Sequence, residues 1–388
     1  MEKLSITTHY PKDFNATPIE RKHIILLDGT WNDESGLNAD GLVTNIVHLN
    51  RILVNDDKEQ IVRYHRGVGN NDDNSWIDQN YEGTTGKAVG KIVEQAYARF
   101  VQEWQNGDRV YIFGFSRGAA AARMLASKIE TFGVPQSITI TLKPKENKEI
   151  RVIEQVFADV KMDTSKTTDI DIEFLGVWDT VSAFGLTNNF LRYVGLKSKD
   201  LFSDHQIAGN IKKAVHLVAI DETRNPFVPS LMNHVEGVTH EVWFPGVHSD
   251  IGGSYKEDTI AKVSLHYMMK QMILWNNERK LPDFKINQDI YAERTATDMD
   301  KAYFHFHGYG WGENLRRIRV QENGKVNPNV KPKVHKLYQE IASRKNAVSV
   351  VEIKEGRKQK VIKCIPFQYM PFNVKQLLAD NIPFDIVD

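Results

Sequence analysis

The chain has 388 residues, 41% of them hydrophobic and 26% charged, a composition that can bury a sizeable core and is ordinary for a soluble globular protein. Fifty Lys and Arg balance fifty Asp and Glu, so no global field favours nucleic acid or an anionic surface. The single cysteine, Cys364, rules out a disulfide within the chain, and no stretch approaches the roughly 20 apolar residues that span a bilayer.

Residues 1–21 form a polar leader without the apolar segment of a secretory signal. Cytoplasmic synthesis is expected, with export by a route that needs no cleaved signal left open. His23-Ile24-Ile25-Leu26-Leu27 is a strand-length apolar run that ends in the turn-rich Asp28-Gly29-Thr30-Trp31-Asn32. Val43, Ile46, Val47, Leu49 and Leu53 follow at helical spacing. Ile61 to His65 reads as a second strand, leading into a glycine- and asparagine-rich loop from Gly67 to Asn74. Ala88, Ile92, Ala96 and Phe100 mark one face of a helix running toward Trp104.

Asn106-Gly107-Asp108 turns the chain into the apolar run Val110 to Phe115, and a helix follows from Arg117 to Thr131. Lys143 to Lys148 reads as a charged connector. Ile170 to Val177 is a strand ending at Trp178-Asp179-Thr180, while Ile211 to Ile220 fits either a helix or a strand. Glu241 to His248 reads as a strand and its loop. Val263 to Trp275 reads as an amphipathic helix with Leu265, Met268, Met269 and Met272 on its apolar side. Strands alternating with helices predict an α/β fold, a mostly parallel sheet with helices on both faces. From Pro282 the pattern loosens. Lys325 to Lys333 reads as a loop, and two β-rich runs flank Glu355-Gly356 as a hairpin of a small appended sheet. The expected organisation is a leader (1–21), an α/β core (22–281) and a C-terminal extension packed on it (282–388).

The densest chemical signal is Gly114-Phe115-Ser116-Arg117-Gly118, placed between a strand and a helix. That context turns a serine into an exposed nucleophile, with the new helix aiming its first amides, including that of Arg117, at an adjacent oxyanion. The bland alternative is a tight turn with a serine N-cap. An activated serine needs a base and a carboxylate, in hydrolases of this kind on loops after later strands. His248, in Val247-His248-Ser249-Asp250-Ile251-Gly252-Gly253, is selected as the base from 13 histidines, and Asp179 as the acid. Asp221 and Asp250 remain alternative acids, Asp250 being the better candidate for bracing its own loop. Gly29 and Thr30 are the natural second oxyanion donors, although Asp28 bonding its own turn is an equal reading. Asp28, His248 and Asp250 could instead make a metal site, but metal ligands usually cluster more closely. Gly83 to Lys87 and Gly308 to Gly312 lack the spacing of nucleotide-binding loops and carry no expectation.

Four segments in order resemble an uncharacterised α/β-hydrolase domain family that includes type VI secretion phospholipase effectors. They are Leu27-Asp28-Gly29-Thr30-Trp31-Asn32, Gly114 to Ala119, Gly176 to Val181 and Phe244 to Gly253. The resemblance covers about Lys22 to Trp275. It implies a triad of Ser116, Asp179 and His248 and lipid ester hydrolysis of phospholipase A type, with no cofactor or calcium. It also implies a lipid or other ester substrate, a membrane surface, and a secretion apparatus or immunity protein as partners. A serine esterase is therefore the leading expectation. A catalytically idle hydrolase fold that binds a partner, and a metal-dependent hydrolase, stand as alternatives. Trp31, Phe115 and the methionine-bearing helix are candidates for an acyl pocket, though each type is more often core.

Overall fold

Strands buried along their whole length need cover on both faces. The computed structural model describes residues 5–29, 43–67, 86–147, 152–181, 207–224, 227–256, 258–298, 304–307, 315–344, 348–355, 359–366, 369 and 371–388. In chain order the first elements are β1 (Ile6–Pro11), β2 (Lys22–Leu27), α1 (Asn45–Ile52), β3 (Gln60–His65), α2 (Gly86–Glu103), β4 (Arg109–Phe115) and α3 (Arg117–Phe132). Next come β5 (Val134–Asn147), β6 (Val152–Thr168), β7 (Ile172–Trp178), β8 (Ala214–Ala219), β9 (Thr239–Phe244), α4 (His248–Gly252) and α5 (Thr259–Glu278). The remainder holds α6 (Gln288–Thr295), β10 (Phe304–His307), β11 (Gln321–Glu322), β12 (Lys325–Val326), β13 (Lys333–His335) and α7 (Leu337–Ala342). The chain closes with β14 (Val348–Glu355), β15 (Gln359–Pro366), α8 (Phe372–Ala379) and β16 (Asp385–Val387).

An eight-stranded sheet in the order β16-β13-β9-β8-β7-β4-β2-β3 organises the molecule. Every pairing in it is parallel. Side chains alternate between its faces as the pleat requires. Ile24 and Leu26 of β2, with Tyr111, Phe113 and Phe115 of β4, point into one apolar cluster alongside residues of α1 and α5. Ile25 and Leu27, with Val110 and Ile112, point into the other beside α2 and α3. The chain runs from β2 outward to β3, then crosses back to β4 on the other side. The β2/β4 boundary is thus the point where strand order reverses, and sites in open α/β sheets collect at carboxyl ends there.

Two readings of the sequence need correction. Lys143 to Lys148 is not a plain connector, since β5 runs through it to Asn147 and folds back on β6 as a long antiparallel hairpin. Val134, Ile138 and Ile140 of β5 anchor that hairpin in the α2/α3 cluster. Residues 6–11 of the leader form β1, paired with β5 from Ile6 opposite Leu142 to Pro11 opposite Ser137. The ambiguous run at Ile211–Ile220 resolves as β8, a fully buried strand. The expected hairpin forms as β14 and β15, joined by β10. The C-terminal part also supplies β13 beside β9 and β16 beside β13, so it completes one edge of the main sheet.

Candidate active site

Ser116 sits between the end of β4 and the start of α3 with φ 60° and ψ −122°, a backbone conformation that L residues seldom adopt. Holding a serine there costs about 1–3 kcal/mol, and the close packing around it maintains the geometry. A Cβ on Gly114 would lie 2.4 Å from the Gly118 carbonyl oxygen, and one on Gly118 would lie 2.2 Å from that of Leu27. Both glycines are therefore demanded by close backbone approach. The Ser116 side chain does not cap α3, so the simple N-cap reading fails. Its amide donates to the Trp178 carbonyl at 3.0 Å, tying the turn to the end of β7.

Asp179 follows that strand with φ 38°. Its amide bonds the Leu217 carbonyl at 2.7 Å, and its carboxylate is completely buried. His248 is the first residue of α4, and its Nδ1 lies 2.6 Å from Asp179 Oδ2. The imidazole is packed between two rings, Phe115 at 4.6 Å and Phe227 at 4.8 Å between centroids. Phe115 immediately precedes Ser116, so the ring wall beside His248 and the serine turn share one backbone. Among the described residues no hydrogen bond joins Ser116 Oγ to His248. Serine–histidine hydrogen bonds of this kind often form only when substrate arrives.

The acid pocket holds a residue that sequence reasoning missed. Arg316 grips Asp179 with both terminal guanidinium nitrogens, Nη1 at 2.6 Å from Oδ1 and Nη2 at 2.9 Å from Oδ2. It also bonds the carbonyl oxygens of Ala219 and Phe227. The Ala219 amide donates to Asp179 Oδ1 at 3.0 Å. Burial alone would raise the Asp179 carboxyl, but Arg316 and His248 hold it well below the usual carboxylate range. Burial pushes His248 down, opposed by Asp179 and assisted by Arg316. Glu222 was missed as well; its Oε2 accepts the His248 amide at 3.2 Å while Arg224 holds the same carboxylate. Nothing periodic surrounds Arg316, so only the tertiary fold discloses it.

The other expected acids are engaged elsewhere. Asp221 accepts the Tyr369 hydroxyl at 2.7 Å and the Gly246 amide at 2.6 Å, and burial pushes it up to about 7. Asp250 accepts the Val247 amide at 2.9 Å and lies 2.6 Å from His305 Nδ1, so it braces its own loop. Asp28 accepts the Gly29 amide at 2.6 Å, together with hydroxyls of Thr44 and Tyr64. The Gly29 amide therefore serves its own turn rather than standing as a spare oxyanion donor. Thr30 and Trp31 lie outside the described residues, as does Gly308 to Gly312. Arg117 opens α3, whose first amides point back toward Ser116. Met268, Met269 and Met272 are core, fully buried under the sheet. Asp28, His248 and Asp250 do not converge, and among the described residues no cluster of three or more His, Cys, Asp or Glu could hold a metal ion.

Comparison with known proteins places this site in context. The family described as "T6SS, Phospholipase effector Tle1-like, catalytic domain" matches residues 21–271. An uncharacterised protein of Saccharomyces cerevisiae is 26% identical over 208 residues, covering 47% of this chain and 29% of its own. Among solved structures, an uncharacterised protein from Pseudomonas aeruginosa aligns with TM-score 0.43 and 20% identity over 72% of this chain and 49% of its own. The Tle1 effector bound to the VgrG spike aligns with TM-score 0.36 and 21% identity over 62% of this chain and 52% of its own. Esterase 2 of Thermogutta terrifontis aligns with TM-score 0.35 and 10% identity over 72% and 92%. The chain thus spans less than a third of the yeast relative and about half of the first two solved chains.

Proposed function

The chain belongs to the Tle1-like catalytic domain family of type VI secretion phospholipase effectors, and from that membership we propose that this hydrolase cleaves carboxylic esters through Ser116, His248 and Asp179. The observation that carries the proposal is the 2.6 Å contact between His248 and buried Asp179, beside a serine held at φ 60° on the strand-to-helix turn. Ser116 Oγ attacks the ester carbonyl and passes its proton to His248 Nε2. Asp179 holds the proton on Nδ1 and stabilises the imidazolium. The oxyanion is met by the Arg117 amide at the head of α3. His248 then returns its proton to the departing alcohol, and water repeats the sequence on the acyl-serine.

Lipid esters, phospholipids foremost, are the proposed substrates, and a membrane surface is where they are met. The family's name supports delivery by a secretion apparatus, with an immunity protein as counterpart. Among the described residues no helix is long and apolar enough to cross a membrane. The test is covalent labelling. A fluorophosphonate should modify Ser116, and Ser116→Ala should lose both the label and at least about a thousandfold of ester turnover with an unchanged circular dichroism spectrum. A Ser116→Ala variant that retains its turnover rejects the mechanism. Excess chelator should leave the wild-type rate unaltered; a chelator-sensitive rate would favour the metal-dependent alternative.

A further inference from the structure

A cavity of about 350 Å³ lies behind residues that contact the proposed catalytic pair, within the size range of roughly 300–1,000 Å³ common for small-molecule sites. Three of its wall residues touch that pair directly. Arg316 holds Asp179, Phe227 packs on His248, and Glu222 accepts the His248 amide. The rest of the wall mixes apolar side chains with Arg224, Arg317 and Arg319.

The four guanidinium groups are not equivalent. Arg316 is spent on Asp179, and Arg224 is held by both oxygens of Glu222 at 2.8 and 2.7 Å. Arg317 and Arg319 have no carboxylate at ion-pair distance among the described residues. Residues 315–320 run without helix or strand, with Arg316 and Ile318 buried, Arg317 exposed and Arg319 half-buried. Arg319 Nε is buried and has no hydrogen-bond partner among the described residues. Burial and the neighbouring Arg317 both push Arg319 down, with Glu241 alone opposing them. Two like charges face one cavity with no ion pair of their own among the described residues, and an anion seated between them would relieve their repulsion.

We propose that this cavity binds the phosphate group of the ester substrate, with Arg317 and Arg319 as its donors. The inference rests on the esterase reading above and adds a specificity to it. Guanidinium forks match phosphate oxygens in pairs and bind them with charge-assisted hydrogen bonds. Apolar Phe227, Leu231 and Leu315 on the same wall suit the hydrocarbon beside a lipid headgroup. An ester without phosphate leaves both charges unpaired and gains nothing from them.

The experiment compares two soluble esters that differ only in the phosphate, dihexanoylglycerophosphate and dihexanoylglycerol. The wild type should prefer the phosphate ester in kcat/KM. In the double variant Arg317→Gln, Arg319→Gln that preference should fall about a hundredfold, chiefly through KM. The double variant Arg317→Lys, Arg319→Lys should recover part of it. An equal loss on both esters, or an undiminished preference, overturns the proposal. Calorimetric titration with inorganic phosphate separates a headgroup site from a free-phosphate site. Binding of inorganic phosphate that the Gln variant loses, with no change in ester preference, makes it the latter and overturns the assignment. If the wild type cleaves neither ester, the esterase reading fails by itself. Glycerol 3-phosphate titration then decides the cavity, since binding lost in the Gln variant upholds a phosphate site and equal binding removes it.

Discussion

A carboxylate buried against an imidazole needs a cation to remain charged, and here Arg316 supplies it through two hydrogen bonds. Arg316→Gln leaves Asp179 buried without that cation, a change expected to cost about 3–5 kcal/mol of stability. It also removes the positive charge that lowers His248 and the main influence that keeps Asp179 ionised. Both effects favour protonation, so the acid limb of kcat/KM against pH should move upward by about one to two units. A purely structural arginine would reduce the rate without moving the limb, and that result would refute the electrostatic role. His248 and Asp179 are legible in the sequence because each closes an apolar run at a strand end. Arg316 is hidden because its partner is distant in the chain and no local pattern marks a long-range ion pair. The loop brace at Asp250 is within reach of the sequence, since the Val247 amide it accepts lies only three residues away. The Gly29 amide is not: sequence leaves it open between its own turn and an oxyanion, and only the fold assigns it to Asp28.

Among elements, the joint between β2, β4 and α3 depends on backbone packed against backbone. Gly118 lies so close to the Leu27 and Asp28 carbonyls that a methyl group would sit at 2.2 and 2.4 Å. Gly118→Ala should therefore destabilise the protein by about 1–3 kcal/mol, read as a lowered denaturant midpoint, and should depress turnover by tilting the serine turn. An unchanged midpoint would mean that the helix and strand do not meet as described. The parallel core is legible because buried strands and amphipathic helices announce themselves by composition and period. The β5–β6 hairpin is harder to read. Ser137-Ile138-Thr139-Ile140 alternates like a strand, but the Lys and Glu residues that follow suggest a solvated link. Ladder pairing uses backbone groups, so the charged side chains do not exclude it there.

At the scale of the molecule, titration of buried carboxyls shapes stability in two opposing windows. Asp179 and Glu222 are depressed in the folded state, Glu222 to about 2 by Arg224 acting against burial. Their contribution is present above the ordinary carboxyl range and should vanish as pH falls from about 4.5 toward 2. Asp221, pushed up to about 7 by burial, works the other way. Its contribution is fully present near pH 3.8 and declines as pH rises through about 7. Asp221→Asn should thus flatten the decline of Tm between about pH 4 and 7, which differential scanning fluorimetry can follow. An unaltered slope would show that Asp221 is ionised throughout. The C-terminal part is woven into the same region through Tyr369 on Asp221 and Asn373 on the Ile220 carbonyl at 2.9 Å. A chain ended at residue 310 should accordingly lose cooperative unfolding and ester turnover, as followed by circular dichroism and rate.

The Asp179–Arg316 pair also has a consequence for timing. A ribosome releases the acid long before the base-rich segment that neutralises it. At about 5–20 residues per second the interval is on the order of ten seconds. Through that interval the nascent N-terminal part carries an acidic group that it cannot bury without its cation. The buried Asp179–His248 contact can therefore be completed in its charged form only after residue 316 has been made, so the order of synthesis sets when this part of the fold can close.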